Sequence, residues 1–298
     1  MKQVAAAIHH PEEQAIQARA LAELLDLPTT PIDRHGFPDG ESLIRVRLAA
    51  GTAVVLWSLD RPNGKLVELM LTADALRRAG AARLILVAPY LCYMRQDAVF
   101  QEGEAVSQQA VGRFLAQLFD SVITVDPHLH RTKHLSDVFP GSEAVALSSC
   151  PLLARHLADA GGPPDRILVG PDGESRQWVE AIAAPLGLPV LVGEKQRLGD
   201  RDVRVTIPGI ERAAGKPAVL VDDVVSTGRT LIEAASLLKA AGASSVSALA
   251  VHLLDPDVGE ALRAAGVDRV TTTDSLDWRE GAIPLAPLLA PAVGKAIG

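Results

Sequence analysis

Residues Ala218 to Leu231, AVLVDDVVSTGRTL, constrain this chain more than any other stretch. Ala218 to Val221 form an apolar run, the pattern of a strand buried on both faces of a parallel sheet. Asp222 and Asp223 follow, then Val224 and Val225, then the turn Ser226-Thr227-Gly228-Arg229-Thr230. Beyond it, LIEAASLLKAAGA repeats apolar residues at helical spacing and stops at Gly242. The segment therefore reads as strand, acidic tip, hydroxyl-rich turn and helix. Such a turn aims backbone N–H groups at one point before a helix N-terminus, where unpaired donors and the helix dipole favour a phosphate. Gly228 lets the backbone come close, and Ser226, Thr227 and Thr230 add hydroxyl donors. The two carboxylates cannot hold a phosphate, but they accept hydrogen bonds from vicinal sugar hydroxyls, directly or through a metal. Phosphate donors beside sugar acceptors make a cradle for ribose 5-phosphate. The plainer alternative is a strand–helix turn whose Asp residues cap and whose Ser and Thr bond locally. The order of apolar run, acidic pair and turn favours the cradle.

The rest of the chain repeats the alternation of strand and helix. Apolar strands are expected at Gln3–Ile8, Ala53–Leu59, Leu84–Ala88 and Ser121–Val125, with helices at Pro11–Leu25, Lys65–Ala79 and Gln108–Leu118. Asp39-Gly40 marks a hairpin between Arg34 and Leu48. The second half replays the pattern from the helix Pro151–Ala160 onward, and RLILVAPY is echoed by RILVGPD. Strand–helix alternation implies mostly parallel sheets covered by helices, so the fold class is α/β with two tandem domains. At 298 residues a two-domain chain is the natural expectation, with domains at 1–148 and 149–298. Only 3% of residues are aromatic, so Ala, Leu and Val must build both cores.

A formal charge of −7 argues against a nucleic-acid or membrane-surface partner. Cys92 and Cys150 form no disulfide framework or zinc spacing. No apolar run approaches the roughly 18 residues of a membrane helix, and MKQVAAAIHHPEE does not read as a signal. A cytoplasmic protein is expected. In parallel sheets ligands sit beyond the carboxyl ends of strands. The charged clusters all follow strands: Arg95-Gln96-Asp97, Asp126 with His128, Asp172, Lys195 with Arg197, and Asp222 with Asp223.

GFPDGE, RPNGKLVELMLTADAL, PYLCYMRQD, VDPH, GPDGESR, GEKQR and VDDVVSTGRT together resemble the ribose-phosphate diphosphokinase family, whose domains have the type I phosphoribosyltransferase fold. The likeness runs from about Ile32 to Leu276, and FQEGEAVS with the Ser of VVSTG looks closer to archaeal-type members. It implies transfer of the β,γ-diphosphoryl group of ATP to ribose 5-phosphate, giving phosphoribosyl diphosphate and AMP, with Mg2+ as cofactor. It also implies a homo-oligomer, dimer or hexamer. By the same resemblance Phe37, Asp39 and Glu41 form a hairpin that serves an adjacent subunit's ATP, and Arg95 and Gln96 meet ATP. Lys195 and Arg197 are the catalytic pair on a loop, Gly193 to Val205. His128 and Asp172 belong to the metal sites, Asp222 and Asp223 accept from the ribose, and Ser226, Thr227, Gly228, Arg229 and Thr230 hold its 5-phosphate.

The chain departs from the family pattern at several points. Ala98 and Val99 follow RQD where Arg or Lys is usual, VDPH replaces VDLH, Glu174-Ser175 follow Gly173, and Arg229 replaces Gly or Ala. Three other readings stay open: a phosphoribosyltransferase, a catalytically silent regulatory paralogue, and a kinase of another sugar phosphate.

Overall fold

The computed structural model describes residues 3–129, 131–197, 203–255, 257–276 and 280–298. They fall into two compact units, Met1–Ser148 with Asp274–Arg279 and Pro284–Gly298, and Ser149–Thr273 with Glu280–Ile283.

The first unit holds strands β1 (Gln3–His10), β2 (Thr29–Pro31), β3 (Asp33–Gly36), β4 (Ser42–Arg45), β5 (Ala49–Leu56), β6 (Arg83–Ala88), β7 (Ser121–Val125) and β8 (Glu143–Leu147). Its helices are α1 (Ala15–Leu25), α2 (Pro62–Arg78) and α3 (Ser107–Leu118). Six strands make a parallel sheet in the order β2-β1-β5-β6-β7-β8, and β3 pairs with β4 in an antiparallel hairpin. The buried runs Val54–Leu56 and Leu84–Ala88 leave no polar face, which is why these strands are central. Trp57, Leu69, Leu76, Leu115 and Phe119 close the core beneath α2 and α3.

In the second unit, strands β9 (Ile167–Gly170), β10 (Val190–Val192), β13 (Pro217–Val225), β14 (Ser245–Leu253) and β15 (Arg269–Thr272) form a parallel sheet in the order β10-β9-β13-β14-β15. Between β10 and β13, β11 (Glu194–Arg197) and β12 (Val203–Thr206) pair as an antiparallel hairpin. The helices are α4 (Cys150–Asp159), α5 (Arg176–Ala183), α6 (Arg229–Ala240) and α7 (Val258–Ala264). The order reverses between β9 and β13, and such a switch point opens a crevice beyond the strand ends.

The last helix, α8 (Ala286–Ile297), corrects the expected domain limits. It packs on α1 in the first unit rather than closing a second domain at 298. The returning chain is fastened by buried polar side chains. Gln14 Nε2 donates to the Leu276 carbonyl at 3.3 Å, Gln17 Nε2 to the Asp274 carbonyl at 3.3 Å, and Ser58 Oγ to the Ser275 carbonyl. Asp274 then accepts the Leu285 N–H at 2.8 Å, at the entrance to α8. Burial outweighs that bond and pushes the Asp274 carboxyl up to about 6. Strand β8 and α8 were not marked in the sequence, and β13 runs on through Val225 where a strand ending at Val221 was expected.

His9, one residue before the end of β1, is fully buried, and neither ring nitrogen is hydrogen-bonded among the described residues. Burial, with a lesser push from His10, lowers its pKa to about 4, so it is neutral at pH 7.

Candidate active site

In the second unit the Asp222-Asp223 pair lies on β13 itself, with Asp222 registered against Ala250 of β14. Asp223 is buried, Asp222 is half-buried, and the Asp223 N–H donates to Asp222 Oδ1 at 3.1 Å. Burial, then the charges of Asp223 and Asp172, raises the Asp222 carboxyl well above the usual range. Asp172 therefore stands near enough to Asp222 to be felt electrostatically, and the two flank the switch point between β9 and β13. Asp172 Oδ1 accepts from the Glu174 and Ser175 N–H groups at 3.0 and 3.3 Å, which fixes the carboxylate in the turn before α5.

Val225 leads into the turn and Gly228 caps α6 with φ +69°, a left-handed conformation that L side chains rarely adopt. A Cβ there would also run into Val258 Cγ1, so two constraints demand glycine. No side chain caps α6, so hydrogen-bond donors of its first turn are left for a ligand. Thr227 and Arg229 are exposed, and Ser226 and Thr230 are half-buried. One turn along α6, Glu233 Oε1 accepts the Val205 N–H at 3.0 Å and moors β12 to the same helix.

Lys195 and Arg197 lie on β11, opposite Val205 and Val203. Their segment was expected as a loop, and it is a hairpin whose connecting residues 198–202 lie outside the described residues. Its root is Gly193, where a Cβ would collide with the Pro171 carbonyl. Gly193 N–H donates to the Gly170 carbonyl at 2.8 Å, so the hairpin starts directly beside the Asp172 turn.

The residues expected for ATP and metal in the first unit come from three segments. Phe37, Asp39 and Glu41 occupy the β3–β4 connection, where Phe37 N–H donates to the Glu41 carbonyl at 2.8 Å and Asp39 Oδ1 accepts the Glu41 N–H at 3.1 Å. Phe37 is 42% exposed, with its ring edge-on to His35 at 4.9 Å. Ser42 Oγ and Arg34 Nη1 both donate to Glu68 of α2, at 3.1 and 3.2 Å, and hold the hairpin to that helix. Arg95 is exposed beyond β6. Gln96 is already engaged, because its side-chain oxygen accepts the Ser107 N–H at 3.3 Å, and the Ser107 hydroxyl, at the start of α3. Only its amide N–H2 remains for a ligand. His128 is half-buried after β7, beyond Asp126, whose φ is +38°.

Sequence reasoning missed the ties between these loops. Thr132 Oγ1 donates to Gln108 Oε1 at 2.7 Å, Gln108 Nε2 donates to the Met94 carbonyl at 3.2 Å, and Arg131 binds Asp97. The buried Gln108 on the apolar face of α3 was the visible sign of a polar tie, but its partners lie on other loops.

Magnesium prefers oxygen and commonly keeps water while using one or two carboxylates plus substrate phosphates. Among the described residues no set of three His, Cys, Asp or Glu is arranged to hold a metal alone. Asp172 and Asp222, the latter raised by burial first and then by the charges of Asp223 and Asp172, fit a cation shared with substrate phosphate rather than a closed protein cage. No helix among the described residues is long and apolar enough to cross a membrane.

The geometry defines a class first: a sheet, acidic strand end and glycine-capped helix of the phosphoribosyltransferase kind. A family model for the phosphoribosyl transferase domain matches residues 150–288, and one for the N-terminal domain of ribose phosphate pyrophosphokinase matches residues 7–118. The ribose-phosphate pyrophosphokinase of Methanopyrus kandleri is 35% identical over 283 residues, 94% of this chain and 96% of that protein. Ribose-phosphate pyrophosphokinase 2 of Archaeoglobus fulgidus is 35% identical over 274 residues, 92% and 94% of the two chains. The solved phosphoribosylpyrophosphate synthetase of Mycobacterium smegmatis superposes with a TM-score of 0.82 at 25% identity, covering 98% of each chain. The chain belongs to the ribose-phosphate pyrophosphokinase family. Both curated relatives named are archaeal, in keeping with the likeness seen in FQEGEAVS and VVSTG.

Proposed function

We infer that this enzyme transfers the β,γ-diphosphoryl group of ATP to ribose 5-phosphate, releasing AMP. The observation that carries this reading is the pairing of Asp222 and Asp223 on β13 with the glycine-capped, otherwise uncapped N-terminus of α6. The uncapped amides with Thr227 and Thr230 hold the 5-phosphate, and the two aspartates accept from the ribose hydroxyls. The anomeric hydroxyl then attacks the β-phosphorus in line and AMP leaves. Lys195 and Arg197 stabilise charge on the transferring phosphoryl oxygens. Magnesium, when bound, would neutralise phosphate charge; His128 is proposed for one metal position, through water because imidazole suits this ion poorly, and Asp172 for a second one near the ribose hydroxyls.

Arg95, Gln96 and the hairpin residues Phe37, Asp39 and Glu41 serve ATP. Phe37 offers an exposed ring for base stacking and the carboxylates accept from an exocyclic amine. If that hairpin completes the site of a second copy, the active species is a homo-oligomer, and a fully active monomer in sedimentation at assay concentration contradicts it. The deciding experiment is incubation with ATP, Mg2+ and ribose 5-phosphate: AMP and phosphoribosyl diphosphate are expected in equal amounts. A phosphoribosyltransferase or a silent paralogue would release no AMP.

A further inference from the structure

Arg131 stands between two residues of the loop after β6. Its backbone N–H donates to Asp97 Oδ2 at 2.9 Å and its Nη1 to Asp97 Oδ1 at 2.8 Å. The guanidinium carbon lies 5.3 Å from the centroid of the Phe100 ring, a cation–π distance. Phe100 is itself fixed, since its N–H and that of Gln101 donate to Glu104 Oε2 at 2.9 and 3.1 Å. The guanidinium is thus gripped at one nitrogen and one face. Its Nε and Nη2 carry no hydrogen bond among the described residues, and the side chain is 62% exposed while that of Asp97 is wholly buried.

Burial works against the Asp97 carboxylate, but the Arg131 N–H, guanidinium bond and charge outweigh it and hold the carboxyl below its usual range. The same grip suits a second task, holding a planar fork of donors ready with its ordering cost already met. Two free N–H edges on a rigid guanidinium match the oxygens of a phosphate. Their place agrees, because β6 and β7 are neighbours and Arg131 lies beyond their carboxyl ends, in the loop that carries His128 and against the loop that carries Arg95 and Gln96.

We propose that Arg131 is a ligand for the phosphate groups of the nucleotide, with Asp97 and Phe100 as its positioning residues. The assignment rests on the diphosphokinase reading above and adds a nucleotide-binding cation that the sequence did not mark.

The test compares Arg131→Ala, Arg131→Lys, Asp97→Asn and Phe100→Ala in steady-state kinetics and in calorimetric titration with Mg-ATP. Removing a donor to a charged acceptor weakens binding about tenfold or more. Arg131→Ala is therefore expected to raise both KM and Kd for ATP by about that factor with KM for ribose 5-phosphate unchanged, while the unfolding midpoint falls because the buried Asp97 loses its partner. Lysine restores charge but not the fork, so Arg131→Lys should recover part of the affinity. Asp97→Asn and Phe100→Ala should weaken ATP a few-fold by loosening the guanidinium. Unchanged ATP affinity in Arg131→Ala overturns the proposal. So does a lowered unfolding midpoint with both substrates' affinities intact, which would make Arg131 a structural tie only. A wild type that releases no AMP overturns the diphosphokinase reading instead, while the Mg-ATP titration still decides Arg131.

Discussion

The two sets of candidate site residues, one in each unit, are built in opposite ways. In the second unit, aspartates, glycine turn and helix N-terminus follow one another along β13 and α6, so backbone geometry alone brings them together. In the first unit the residues come from the β3–β4 connection and the loops after β6 and β7, held by side-chain bonds such as Asp97–Arg131 and Thr132–Gln108. A contiguous site is sensitive to backbone conformation and steric fit. An assembled site is sensitive to the polar ties between its loops.

The largest effect expected lies on the hairpin that α6 moors. Removing one preorganised charge-stabilising donor costs about a hundredfold or more in turnover. Lys195→Ala and Arg197→Ala should each lower AMP release by that order and change ribose 5-phosphate affinity only a few-fold. Near-normal turnover in both variants would remove the hairpin from the catalytic machinery and leave the contiguous site as a binding site only.

Acid should separate His9 from the buried carboxylates. His9 in the first unit has a folded pKa near 4 against an ordinary value of 6.5. Above that ordinary value it contributes no pH dependence. As pH falls below it, the unfolded state takes the proton first, and stability drops by about 2 kcal/mol at pH 5. Asp274 in the same unit and Asp222 in the second have the opposite sign, because a raised pKa means stability is lost as pH rises through the folded value. Denaturant unfolding of wild type and His9→Leu at pH 7 and pH 5 measures the His9 share. Equal pH sensitivity of the two proteins would show that His9 is not the group responsible.

Next comes the cradle. Thr227→Ala removes a proposed hydroxyl donor and should weaken ribose 5-phosphate about tenfold, with ATP affinity little changed. An unaltered KM for ribose 5-phosphate would count against Thr227 as a phosphate ligand.

The smallest effect tests the assembled half. Gln96→Glu keeps an oxygen to cap α3 but loses the amide donor, whereas Gln96→Ala loses both. Loss of such a cap costs about 1 kcal/mol, so thermal unfolding should detect a lower midpoint for Ala than for Glu. Both should raise KM for ATP. If Glu binds ATP as wild type does, Gln96 serves only as the cap.

By itself the sequence determined the α/β alternation, because runs such as Leu84–Ala88 have no polar face and must be buried on both sides of a sheet. It also carried the proposal of a cradle at Asp222 to Thr230, where all parts lie within one strand–turn–helix and local chemistry is the whole argument. Tertiary structure decided the rest. The apolar repeat of residues 286–297 carries no label saying which core it joins; packing on α1, the Arg83 bond to the Ala296 carbonyl and the Gln14, Gln17 and Ser58 bonds to residues 274–276 assign α8 to the first unit. The Gly193–Val205 segment looked like a loop because its charges mask a hairpin whose β12 strand is moored through Glu233, a contact between residues 28 apart. Arg131 meets Asp97 across 34 residues, and Gln96 spends its carbonyl on α3. Side-chain partners separated by whole elements leave no periodic trace, since pairing depends on how neighbouring strand ends stand in space and not on local spacing.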